Sequence, residues 1–357
     1  MNNCLVIIRN KKLNIDYERL DKILRVFSAG CFYFDKIAFV GFDSAKGISD
    51  QLQECRNMFE NSVVLCESRQ RELISGYLQK LYGAAFDGRF YINCGQATVC
   101  LGADNEDGAA FAEKCIRLMN EKYSVSYDKF YVNTVCAPAE LINSALEKAH
   151  KEGGDTAFSV YDEYGDQTIV ISYSSNTPKM VADAVQRIIV GELSPYVYAV
   201  ENTSLEERLY DLLKLRRMKI SVAESFTGGG IASRLVSVPG ISEVYFEGLN
   251  TYANKSKQQR LGVEELTLKQ AGAVSEQTAC EMASGLIATG NCDIAIATTG
   301  IAGPKSDNTL KPVGLNYIAV ALRDDIKVYK FNLAGDRKTI TKTAINNALF
   351  LAYKTLK

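Results

Sequence analysis

A serine and a threonine follow an apolar run in Glu224-Ser225-Phe226-Thr227-Gly228-Gly229-Gly230, just before the helical pattern Ile231, Leu235, Val236. Glycines let the backbone turn closely from strand to helix, and a helix start presents unpaired N–H groups with partial positive charge. Such a turn can hold a phosphate or a developing oxyanion, or it can be a purely structural bend. The spacing fits neither a P-loop lysine motif nor the dinucleotide fingerprint. Further along, Thr251-Tyr252-Ala253-Asn254-Lys255-Ser256-Lys257 gathers a phenol, an amide and two amines after a β-like stretch. A plain polar loop reads the same way, above all for Lys255. Thr299-Gly300-Ile301-Ala302-Gly303-Pro304 ends a buried strand, the place where open α/β sheets bind ligands. Lys311-Pro312-Val313-Gly314 and Gly335-Asp336-Arg337 complete the set. Arg337 is either a phosphate fork or an ordinary surface cation.

Other chemistry is excluded by composition. The only histidine, His150, ends a predicted helix, where a last-turn cation suits the helix dipole. One histidine rules out a multi-histidine metal site and argues against a Ser-His-Asp triad, so any hydrolysis needs another base. No metal or other cofactor is expected. A net charge of -1 supplies no strong field toward nucleic acid or anionic lipid. None of the ten cysteines forms a C-x-x-C pair, and several sit in apolar runs. They read as reduced, buried thiols of a cytoplasmic protein. The N-terminal apolar stretch is too short for a signal peptide or anchor, and no run approaches transmembrane length.

The elements that must position these groups fall into three segments, α/β in the first and last and α+β in the middle. In residues 1–124, Leu5 to Ile8, Ile37 to Val40 and Val63 to Cys66 read as strands. Tyr17 to Phe27, Ile48 to Met58 and Ala109 to Met119 read as helices, which predicts a largely parallel sheet. Residues 125–201 read strand, helix, strand, strand, helix, strand, with a hairpin turn at Tyr164-Gly165-Asp166-Gln167. That order is a split βαβ, ferredoxin-like unit. In residues 202–357, Ser204-Leu205-Glu206-Glu207 is a capping box and starts a helix. Strands follow at Lys219 to Ala223, Val244 to Leu249, Ile294 to Ala297, Leu315 to Leu322 and Ile326 to Phe331, and a helix spans Lys338 to Thr355. This is an α/β sandwich.

The last segment resembles the CinA C-terminal domain, whose stand-alone members are nicotinamide mononucleotide deamidases. Ala223 to Gly229 carries the family's Ala-Glu-Ser-x-Thr-Gly-Gly. Tyr252 to Lys257 carries its Tyr-Ser-Asn-x-x-Lys, followed by Leu261-Gly262-Val263. Gly272 to Glu276, Thr299 to Pro304, Lys311 to Gly314 and Gly335 to Arg337 match in the same order. The resemblance implies Ser225 as nucleophile, with Lys257 and Tyr252 as its activating partners. Substrate contacts are implied for Thr227, Gly228, Gly229, Asn254, Thr299, Gly300 and Arg337. The substrate would be a small molecule, nicotinamide mononucleotide, and the protein a homodimer. A lysine base must be neutral near pH 7, and lowering its ordinary pKa by ~3 units costs about 4 kcal/mol. Burial or a nearby cation such as Lys255 would supply that.

Phe226, Ala253, Lys255 and Lys305-Ser306-Asp307 depart from the family pattern, and Phe226 is expected to narrow the pocket. The middle segment resembles the family's KH-like connector, and the first a shortened MoaB-like, molybdopterin-binding domain. That domain expects Thr-Gly-Gly-x-Gly, whereas Val63 to Cys66 is followed by Glu67-Ser68-Arg69-Gln70. Asp43, Glu67 and Asp87 are too scattered for a metal cluster. Both points argue against a nucleotide pyrophosphatase there and for a structural or dimerising role. A non-catalytic scaffold is the remaining alternative for the chain, against which the joint presence of Ser225, Tyr252 and Lys257 argues.

Overall fold

The computed structural model describes residues 2–9, 16–42, 45–88, 90–154, 156–306, 310–323 and 325–357, so Asp43 and Asp307 lie outside it. The chain divides into two compact units. One comprises residues 1–129, 154–159 and 172–182; the other comprises 130–153, 160–171 and 183–357.

The first sheet is built from β1 (Asn3–Arg9), β2 (Lys36–Gly41), β3 (Asn61–Cys66), β4 (Tyr91–Cys94) and β5 (Ala97–Ala103). Its order is β2-β1-β3-β5-β4, parallel except for the β4–β5 pair. Helices α1 (Tyr17–Ala29) and α4 (Gly108–Tyr123) cover one face through Ile23, Phe27, Phe111 and Met119. Helices α2 (Ala45–Met58) and α3 (Arg71–Tyr82) cover the other through Ile48, Leu52, Ile74 and Leu78. Two covered faces explain the unbroken apolar runs of the strands. The reading from sequence lacked α3, β4 and β5. The last of these, Ala-Thr-Val-Cys-Leu-Gly-Ala, is buried on both faces and so shows no alternation.

A second sheet has the order β7-β8-β6-β9, from β6 (Tyr127–Val135), β7 (Thr156–Glu163), β8 (Asp166–Ser174) and β9 (Val197–Ala199). With α5 (Ala139–His150) after β6 and α6 (Lys179–Glu192) after β8, this is the strand order a split βαβ unit requires.

The third sheet holds β10 (Ile220–Glu224), β11 (Tyr245–Asn250), β12 (Ile294–Gly300), β13 (Leu315–Leu322) and β14 (Asp325–Asn332). Its order is β11-β10-β12-β13-β14, with β10 parallel to both neighbours and the last two pairs antiparallel. The predicted capping box forms: the Glu207 N–H donates to Ser204 Oγ (3.3 Å), and the Ser204 N–H donates to Glu207 Oε2 (2.8 Å). It starts α7 (Leu205–Arg216), which packs with α8 (Gly230–Val236) and α12 (Arg337–Leu356) on one face of the sheet. That face carries Ile220, Val222, Ile294, Ile296, Ile318 and Val320. The opposite face carries Ala223, Ala295, Ala297, Ala319 and Ala321, packed against α11 (Glu276–Ile287). Each fully buried Ile or Val of the bulky face contributes about 1.5–3 kcal/mol. The alanine face contributes less area but admits its helix closely. Helix α9 (Asn254–Leu261), followed by α10 (Glu265–Gln270), lies against α11. Among the described residues no helix is long and apolar enough to cross a membrane.

Candidate active site

The carboxyl ends of β10, β11 and β12 meet at one edge of the third sheet. Since β11 lies on one side of β10 and β12 on the other, the winding reverses here, which opens a crevice. Ser225 follows β10 directly, and its N–H donates to the Thr298 carbonyl of β12 (3.1 Å). Gly228 and Gly229, at φ 63° and 92°, then take the chain into α8 through left-handed conformations that a Cβ would strain.

Lys257 comes from α9, a strongly polar helix with few buried side chains. Its own side chain is 1 % exposed. Its Nζ lies 2.9 Å from Ser225 Oγ, 2.8 Å from the Thr251 carbonyl and 3.1 Å from the Tyr252 carbonyl. Burial pushes the amine down from 10.5 to about 8. Lys255 is exposed, and burial is the cause on which the depression rests. As an ammonium the group donates to all three oxygens. As a neutral amine it keeps two protons for the two carbonyls and turns its lone pair to the serine hydroxyl. The carbonyls therefore aim the base.

The other expected site residues are placed differently. Tyr252 is 62 % exposed, and its phenol lies 3.5 Å from Arg337 Nη2; only its backbone carbonyl meets Lys257. Arg337 is exposed at the start of α12, and its Nη1 donates to the Gly303 carbonyl (2.8 Å). Asn254 is exposed on the first residue of α9. Thr299 is buried and donates to the Ala273 carbonyl (2.6 Å), so its hydroxyl fixes a loop. The Thr227 and Thr298 hydroxyls pair at 2.7 Å. Lys311 straps the same region by donating to the carbonyls of Ala271 and Val274 (2.8 and 2.7 Å). Phe226 is buried with Ala302, Ile340 and Ala344.

The glycine-rich amides are mostly occupied. Gly228 N–H donates to the Ser225 carbonyl and Gly230 N–H to the Thr227 carbonyl, at 3.2 and 3.0 Å. Gly229 N–H donates to the Glu224 carboxylate at 3.0 Å. In this loop the amides of Phe226 and Thr227 have no acceptor among the described residues. Three residues escaped sequence reasoning. Glu224 was read only as a motif letter. Thr251 Oγ1 and Asn316 Oδ1 are buried without a partner among the described residues. Asn316 lies opposite Gly300 across the β12–β13 pair. Among the described residues no three His, Cys, Asp or Glu side chains gather as a metal site.

Gly300 is a contact position. A Cβ there would stand 2.5 Å from Asn316 Cβ and 3.0 Å from the Phe226 ring. Gly300→Ala is expected to destabilise the fold by ~1–3 kcal/mol through overpacking. Denaturant unfolding measures this, and an unchanged midpoint would contradict the assigned contact.

Residues 202–356 match the family model described as the CinA C-terminal domain. A putative competence-damage inducible protein of Caldicellulosiruptor saccharolyticus is 43% identical over 178 residues, 50% of this chain and 43% of that protein. One from Clostridium acetobutylicum is 41% identical over 173 residues, 48% of this chain and 42% of its own length. The chain thus spans less than half the length of these curated relatives. A crystal structure of a competence/damage inducible protein from Agrobacterium tumefaciens is 36% identical, covering 41% of this chain and 90% of that one, at a TM-score of 0.40.

Proposed function

We propose, from the premise that residues 202–356 belong to the CinA C-terminal domain family, that this part of the chain is a serine amidohydrolase. Its proposed substrate is nicotinamide mononucleotide, converted to nicotinate mononucleotide and ammonia. The observation that carries the reading is the 2.9 Å contact between Ser225 Oγ and a buried lysine whose amine is aimed by two carbonyls.

In this reading Ser225 Oγ attacks the carboxamide carbon while its proton passes to Lys257 Nζ. The amides of Phe226 and Thr227 receive the oxyanion of the tetrahedral intermediate. The C–N bond then breaks, Lys257 returns the proton to the departing nitrogen, and ammonia leaves an acyl-Ser225. Water attacks the ester carbon and gives a proton to Lys257. The C–Oγ bond breaks, and Ser225 recovers its proton as nicotinate mononucleotide departs. Arg337 and the Tyr252 phenol, both exposed beside the site, are the proposed contacts for the substrate phosphate.

The test is an ammonia assay on the full chain in the presence of a chelator, with nicotinamide mononucleotide and, separately, nicotinamide riboside. Ammonia and nicotinate mononucleotide are expected in equal amounts, with the riboside the poorer substrate. Silence of the folded protein across pyridine nucleotide carboxamides overturns the reading.

A further inference from the structure

Glu224, one residue before Ser225, is a carboxylate with 1 % exposure. Burial of such a charge is tolerated only where donors surround it. Here they are backbone amides: Oε2 accepts from Gly229 (3.0 Å) and Ile231 (3.1 Å), and Oε1 accepts from Ala232 (2.8 Å). In the first turn of α8 the Ile231 and Ala232 amides are to spare, because no preceding carbonyl reaches them. An ordinary cap stands immediately before its helix. Glu224 instead belongs to the strand and reaches across the whole turn, so the loop bearing Ser225 is clasped between this residue and its own side chain. The main chain of the same residue holds the other half of the pair. Its carbonyl accepts from the Thr251 N–H (2.8 Å), and the Thr251 carbonyl in turn accepts from Lys257 Nζ (2.8 Å).

We propose that Glu224 is the positioning residue for the Ser225–Lys257 pair, setting where Oγ stands relative to Nζ through the α8 amides. The inference rests on the amidohydrolase reading above. Its second consequence concerns substrate orientation. A carboxylate fills the amides of the glycine turn, so an anionic phosphate is repelled from that end of the loop and is left to the Arg337 side.

Glu224→Gln tests this, since it keeps shape but turns an NH2 against at least one N–H donor. Three readouts are needed: kcat and KM with nicotinamide mononucleotide, thermal unfolding, and the rate at which phenylmethanesulfonyl fluoride sulfonylates Ser225, followed by intact mass against pH. A misplacement of order 1 Å is enough to cost about 10- to 100-fold. The glutamine variant is therefore expected to lose about that factor in both kcat and labelling rate. KM should stay within about twofold, and the pH midpoint of labelling should not move, because it belongs to Lys257. Wild-type kcat and labelling in the folded variant overturn the proposal, as does a loss that only follows the folded fraction. If the glutamine variant does not fold, Glu224→Asp, whose carboxylate falls short of the amides, replaces it. Hydrogen exchange on the wild type decides independently: the amides of Gly229, Ile231 and Ala232 must be protected well beyond those of Phe226 and Thr227. A wild type that neither labels nor releases ammonia defeats the amidohydrolase reading instead, and the exchange result still judges the clasp.

Discussion

Ser225→Ala is expected to lower kcat for ammonia release by about 10⁴-fold or more, with KM changed only a few-fold. The hydroxyl is the proposed site of bond formation, so no neighbouring group substitutes for it. The fold should not suffer. Ser225 is anchored by its backbone N–H to Thr298, and removal of Oγ still leaves Lys257 donating to the carbonyls of Thr251 and Tyr252. Steady-state kinetics and thermal unfolding on the same preparation check both halves. Intact mass adds a third: wild type quenched during turnover should show an acyl adduct that the alanine variant lacks. A variant with more than about a tenth of wild-type activity would remove Ser225 from the mechanism.

The second large effect concerns Lys257 and pH. The amine must be neutral to take the serine proton, and its folded-state value is about 8. Below that value kcat/KM should rise about tenfold per pH unit, then level off. Lys257→Met should remove most activity at every pH, about 10²- to 10⁴-fold. Stability follows the same titration. Below about 8 the lysine is protonated in both states, and the folded state bears the burial cost. Between about 8 and 10.5 the folded protein has released this proton while the unfolded chain still holds it. Stability therefore increases with pH across that window, by about 3 kcal/mol from this group when complete. Denaturant unfolding of wild type and Lys257→Met at about pH 7 and pH 10.5 separates this contribution, because the methionine variant lacks the increment. A wild-type activity profile that is flat through about 8 would mean the lysine is not the base.

Ser225 and Lys257 were legible in the chain because each lies in a short motif and stands next to a strand end or in a first helical turn. The family resemblance, not local pattern, put the two together, and the fold brings Lys257 Nζ within 2.9 Å of Ser225 Oγ. Tyr252 lay in the same motif, yet its phenol faces solvent and Arg337 while its carbonyl serves the lysine. A motif letter names a residue, not which of its atoms is used. Glu224 was invisible for a similar reason. A carboxylate inside an apolar strand looks costly until the helix that returns toward it supplies three N–H groups. The glycine turn read either as an anion cradle or as a structural bend, and most of its amides prove to be taken by the protein itself. In the first unit β4 is only four residues long and β5 is buried on both faces, where hydrophobic period carries little information, whereas α3 buries Ile74, Leu78 and Tyr82 at helical spacing and was overlooked. The capping box at Ser204 and Glu207 was readable because its chemistry is complete within four residues.

The alternation of isoleucine and valine with alanine along β10, β12 and β13 has a mechanical outcome. On the methyl-lined side, α11 can rest near the strands, and it carries α9 with it. A lysine side chain has a limited reach, so the thickness of a layer that touches neither group bears on the separation between base and hydroxyl. A leucine in place of Ala295 or Ala297 would act as a shim, lifting the amine from its target without altering any atom of the reacting pair.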